Sequence, residues 1–141
     1  MNLYAESSAI LAWLLDEAMA PTVRELLGSA EIIVTSDLTL IECDRVLMRA
    51  ITLRELTEAE AADRRAQLAT VASHWHVLRI SPDIVDRARQ PFPGEPIRTL
   101  DAIHLASTLT ARSAIRGLSL LSLDDRIRSA AGKLGIEVLP Q

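Results

Sequence analysis

The sequence predicts an α/β fold, a three-layer α/β/α domain around a mostly parallel central sheet. Two observations point there. Short apolar, β-branched runs alternate with longer stretches of helical character along the whole chain, and strands separated by helices pair in parallel. Acidic residues also follow several of these runs directly, where such sheets collect their ligands.

Asn2-Leu3-Tyr4-Ala5, ended by Glu6, reads as the first strand, and Ser8 to Glu17 as a helix with Ala9, Leu11, Ala12, Trp13, Leu14 and Leu15 largely buried. Pro21 suits the first turn of a second helix, which Gly28 is expected to end. Glu31 to Thr35 is β-branched and forms the second strand; Ser36 or Asp37 then caps a helix to about Ala50. Thr57-Glu58-Ala59-Glu60 is a helix start signal for the longest helix, Glu58 to about Ser73. Trp75 to Ile80 alternates as a strand does. Ser81-Pro82-Asp83 starts another helix, and the cluster from Pro91 to Pro96 must end it. Thr99 caps a helix to about Arg112, Leu118 to Leu123 is a strand, Asp124 to Lys133 a helix, and Ile136 to Leu139 the last strand. With 141 residues and no linker, repeat or low-complexity stretch, one domain over 1–141 is expected.

Composition narrows the function classes. Hydrophobic residues make up 49% of the chain but aromatics only 3%, so Leu, Ile, Val and Ala must build the core. No apolar run reaches the ~18–20 residues of a membrane span, and no basic leader precedes the first strand, so a cytoplasmic protein without membrane association is expected. Cys43 is the only cysteine, which excludes an internal disulfide and multi-cysteine zinc motifs. The net charge of −4 is unlike that of a simple electrostatic nucleic-acid binder. The cations are fourteen arginines and one lysine, Lys133; arginine offers bidentate contact to phosphate, though GC-rich coding gives the same bias.

Four acids stand in apolar settings where a lone carboxylate is costly to bury: Glu6, Glu42, Asp101 and Asp124. Gathered together, they would repel one another unless a cation neutralised them, and an all-oxygen set suits Mg2+ or Mn2+. A metal-dependent phosphoryl-transfer site is the expectation. Each acid also has a plainer explanation. Asp101 complements a helix dipole, Asp124 serves as an N-cap, Glu42 pairs with Arg45 at i+3, and Glu6 is a polar strand terminus. Ser7 and Ser8 either cap the next helix or bond a metal-bound water. Ser122 either orients a carboxylate or is a tolerated strand hydroxyl, and Arg98 either holds a phosphate or pairs with Glu95. Arg98, Ser8 and Ser122 are therefore the candidate substrate-binding residues. Asp125 is taken as the solvated neighbour of Asp124. His104, on a nearly all-apolar helix, reads as a satisfied core histidine rather than a general base. His74 and His76 lack a third ligand of zinc-site spacing.

At these residues the chain resembles the PIN-domain family, and within it the VapC-type ribonuclease toxins of bacterial VapBC pairs. Tyr4-Ala5-Glu6-Ser7-Ser8-Ala9 is similar to the family's opening strand, and Leu38-Thr39-Leu40-Ile41-Glu42 to its second acidic helix. Arg98-Thr99-Leu100-Asp101-Ala102-Ile103-His104-Leu105-Ala106 is close to the R-x-L-D-A-x-H-L-A segment. Ser122-Leu123-Asp124, with Ile127 and Ala130-Ala131, resembles the final strand and helix. The resemblance implies a PIN-like fold and an endoribonuclease whose four carboxylates hold one or two Mg2+ or Mn2+ ions. It also implies an RNA substrate, a small VapB-like antitoxin encoded alongside, and a toxin homodimer. One position departs: the family's first acid is normally aspartate, and here it is Glu6. Retained activity, altered metal preference and lost activity all stay open at that point. A catalytically weak PIN domain acting as a protein-binding module is thus the alternative. A phosphatase or receiver-type domain would need a lysine near the acids, and Lys133 lies late in the last helix.

Overall fold

The structure, a computed structural model, describes residues 1–141. Five strands form one sheet: β1 (Asn2–Ala5), β2 (Ile32–Ser36), β3 (His76–Leu78), β4 (Leu118–Leu121) and β5 (Val138–Leu139). Their order is β3-β2-β1-β4-β5, and every neighbouring pair is parallel. Seven helices connect them: α1 (Ser7–Leu14), α2 (Ala20–Ser29), α3 (Asp37–Thr52), α4 (Glu58–Ala72), α5 (Pro82–Ala88), α6 (Thr99–Ala114) and α7 (Asp125–Lys133).

Side chains on a strand alternate between faces, and the core follows that rule. On one face Tyr4, Val34, Leu118 and Leu120 join Leu105, Ala106 and Ile127 from α6 and α7. On the other, Leu3, Ala5 and Leu121 pack with Ile10, Leu14, Val23, Cys43 and Leu68 from α1 to α4. Both faces of the sheet are covered, as a parallel sheet requires. No helix is long and apolar enough to cross a membrane.

Most predicted elements are present, with shifted ends. Ser36 caps α3 by accepting from Thr39 N–H, and Thr57 with Glu60 forms a full capping box at α4. Gly28 does not end α2, which runs on to Ser29. Arg98, not Thr99, is the N-cap residue of α6, and its side chain makes no cap bond. The strands around His76, Leu118 and Val138 are shorter than the apolar runs that announced them.

β1 is the central strand, paired Ala5 to Leu121 on one side and Tyr4 to Val34 on the other. The Glu6 N–H continues that ladder to Leu121 O at 3.0 Å. Arg128 of α7 closes the same edge. Its guanidinium donates to Ser122 O (2.7 Å), Leu139 O (3.2 Å) and Pro140 O (2.7 Å), tying the chain beyond β4 to the chain beyond β5. Replacing it with alanine leaves the Ser122 and Pro140 carbonyls without their donor, while Leu139 O keeps the Ser122 N–H at 3.1 Å. Arg128→Ala is therefore expected to lower stability by roughly 2 kcal/mol. Arg128→Lys should recover little of that, because an ammonium lacks the planar fork. Urea unfolding of the three proteins measures both effects.

Candidate metal centre

The acids collect beyond the carboxyl ends of β1, β2 and β4. Glu6 follows β1 and is the N-cap residue of α1, 2% exposed. Three hydroxyls hold its carboxyl. Ser7 Oγ donates to Oε1 at 2.6 Å, Ser122 Oγ to Oε2 at 2.8 Å, and Ser8 Oγ to Oε2 as well. Neither Ser7 nor Ser8 caps α1. Ser8 Oγ also accepts from Leu123 N–H at 2.9 Å, and Ser122 Oγ accepts from Asp124 N–H at 3.2 Å. One hydroxyl network thus fixes the first acid against the loop that carries the fourth.

Glu42, in the second turn of α3, is half-buried and makes no pair with Arg45, whose guanidinium turns to Met48 Sδ. Its Oε1 accepts from Ser7 Oγ at 3.2 Å and from the Nε2–H of His104. His104 Nε2 also lies 3.7 Å from Glu6 Oε1. His104 is 1% exposed, and its Nδ1 has no partner. The sequence suggested an ordinary core histidine; the structure instead places it against the carboxyl pair. The bond joins residues 62 positions apart, and the apolar neighbours of His104 do not announce it.

Ligand atoms of Glu6, Glu42 and His104 all lie within 4.8 Å of one another. No arginine or lysine is paired with any of the four acids. This oxygen-rich donor set, with His104 its only basic neighbour, fits a hard divalent cation.

Asp101 and Asp124 stand outside that tight group but share its field. Asp101, in the first turn of α6, is half-buried. Partial burial raises its pKa above the ordinary aspartate value, and the negative charges of Asp124 and Glu6 push the same way; His104 and Arg98 oppose them. Asp124 does act as an N-cap, its Oδ1 accepting from Arg126 N–H (2.9 Å) and Ile127 N–H (3.1 Å), which leaves its other oxygen free. Asp125 is exposed. Arg98 is exposed too and does not pair with Glu95, whose carboxylate accepts from Phe92 N–H and Ile97 N–H. Burial also pushes Tyr4 and Cys43 up to about 12, so neither supplies a nucleophile at neutral pH.

A raised aspartate pKa has a definite consequence for stability. Below the unfolded pKa the group is neutral in both states, and the folded state is penalised as pH rises through the folded pKa. In EDTA, Asp101→Asn should melt slightly above the parent at pH 7 and level with it near pH 3. The gain should stay below about 1 kcal/mol because solvent screens a half-exposed group. Thermal melts across that pH range measure it.

The PIN domain profile matches residues 3–133. Ribonuclease VapC46 of Mycobacterium tuberculosis is 35% identical over 137 residues, covering 97% of this chain and 95% of that one. Among solved structures, VapBC-5 of Mycobacterium tuberculosis, a toxin–antitoxin family member, superposes with a TM-score of 0.65 at 20% identity, covering 99% and 98% of the two chains. VapC20 from the same organism, a toxin that cleaves the sarcin–ricin loop, gives 0.62 at 16% identity over 91% and 94%. Those two likenesses bear on the fold. With the family profile spanning nearly the whole chain and VapC46 aligned end to end, this protein belongs to the PIN-domain family.

Proposed function

We propose that this chain is a metal-dependent endoribonuclease, the toxin of a type II toxin–antitoxin pair, hydrolysing RNA phosphodiester bonds with Glu6, Glu42, Asp101 and Asp124. The observation that carries this reading is the Glu6–Glu42 pair. Two carboxyls from different elements are held side by side, one almost fully buried, with no arginine or lysine to offset them. Burying such groups for structure alone is costly, whereas a cation site requires it. The similarity to VapC46 supports the same chemistry.

The four carboxylates would hold Mg2+ or Mn2+. Bound there, such an ion supplies Lewis acidity toward a phosphoryl oxygen and lowers the pKa of water. The chain's own groups prepare the site. Ser8 and Ser122 act through Glu6, which they orient, and His104 plays that part for Glu42. Orienting partners of this kind commonly affect metal affinity by ~10–100-fold. Arg98, exposed at the mouth and free of Glu95, is placed to meet a phosphate. A VapB-like antitoxin and a homodimer complete the proposal. Exposed Ile41, Met48 and Leu53 along α3 give a partner an apolar face.

Glu6 also favours a second reading, a weak nuclease serving as a binding module, because its carboxyl is fully engaged by three serines. Cleavage of a pool of structured RNAs in Mg2+, Mn2+ or EDTA separates the two. Discrete metal-dependent cuts are expected from the parent, and Asp101→Asn should lose more than the ~100-fold upper range of an orienting partner. A parent without activity, and a Glu6→Asp variant that gains it, would establish the binding module instead.

Metal binding has its own readout. With Mn2+ at a hundredfold excess over its dissociation constant, the parent should gain about 2.7 kcal/mol of stability. Glu42→Gln should gain almost none, and His104→Leu should need ~10–100-fold more Mn2+ for the same shift.

A further inference from the structure

Beside the carboxylates lies a cavity of about 610 Å³, bounded by the proline-rich loop, the start of α6 and one face of α7. Asp101 is the member of the carboxylate set that belongs to its wall. Three cations line it: Arg98, Arg126 and Lys133. None forms an ion pair. Asp125 is the one acid on that wall outside the proposed carboxylate set.

Arg126 and Lys133 are seven residues apart, two turns along the same face of α7 and about 10 Å along its axis. That spread suits successive phosphates of a strand better than one isolated anion. Lys133, the only lysine of the chain, extends across to the loop. A Cβ built on Gly94, whose φ is +83°, would lie 2.6 Å from Lys133 Nζ and 2.9 Å from its Cδ. Loop and helix together therefore form a groove lined by Arg98, Arg126, Lys133 and Asp101.

We infer that this groove binds the RNA backbone next to the cleavage position, with Arg126 and Lys133 as phosphate ligands that hold the strand in register with the carboxylates. This rests on the ribonuclease reading. It adds two positioning residues that neither the acid pattern nor the family motifs single out. Neutralising a phosphate with each cation would also give an acidic protein the local positive field that RNA binding needs.

Binding of a fluorescent single-stranded RNA of mixed sequence tests it, measured in the full chain carrying Glu42→Gln to prevent cleavage, from low to moderate salt. Adding Arg126→Ala and Lys133→Ala should weaken binding at least about tenfold. It should also flatten log K against log salt by about 1.4, or ~0.7 for each single-strand phosphate left without its cation. The control is Arg112→Ala with Arg116→Ala, the same charge change at the far end of α6, which should move neither quantity comparably. In the cleaving parent the same double change should raise KM and leave kcat nearly intact. Both residues are exposed, so folding should survive, and melting curves verify it. Equal losses from the two pairs would reduce the effect to net charge and overturn the inference, as would unchanged affinity and slope. A parent that neither binds nor cuts RNA would instead sink the ribonuclease reading, and the groove with it.

Discussion

The pairing of Glu6 with Glu42 is the constraint around which the rest is arranged. Two carboxyls at one buried place repel each other and lose their hydration. What holds them is a set of donors from separate parts of the chain: Ser7 between the two, Ser8 and Ser122 on the first, His104 on the second. Between them these donors bond both oxygens of Glu6 and Oε1 of Glu42. None carries the fixed positive charge of a guanidinium or ammonium. The arrangement thus stabilises the carboxyls enough to be tolerated while leaving room for a cation to complete it.

Sheet topology makes this possible. With β1 in the centre and all strands parallel, the segments leaving β1, β2 and β4 emerge at one edge. The same edge is where the helices that follow β1 and β2 begin, and where Asp124 caps α7. Arg128 then closes the outer side of that edge by binding three carbonyls. Rigid strands and capped helices position the site more sharply than loops would. The cost falls on stability, which a buried acidic cluster lowers when no cation is present, a common exchange at functional sites.

Much of this was legible in the sequence because it is local. Ser36 and the Thr57–Glu60 pair announce their helices through cap chemistry alone, and β-branched runs announce the inner strands. The acids following Ala5 and Leu123 were visible against their apolar neighbours. What stayed hidden depends on distant partners. His104 sits on an apolar helix, as core histidines do, and its bond to Glu42 spans 62 positions of sequence. Glu95 offered Arg98 as a nearby partner, yet backbone N–H groups of its own loop claimed the carboxylate. Lys133 lies late in the last helix, far in sequence from the acids, yet α7 brings it to the cavity that Asp101 also lines. Gly28 suggested a helix end, but α2 continues past it to Ser29.

The hydrogen bond between Ser122 and Glu6 joins residues 116 positions apart. During synthesis Glu6 leaves the ribosome well before α6, β4 and Ser122 do. Chains are made from the N-terminus at about 5–20 residues per second, so Glu6 waits several seconds for its last donor and for the strand that flanks it. A nascent or truncated chain ending just before β4 has the first three acids but neither Asp124 nor a completed sheet edge. The carboxylate centre is therefore assembled only after β4 and the loop that follows it have been made.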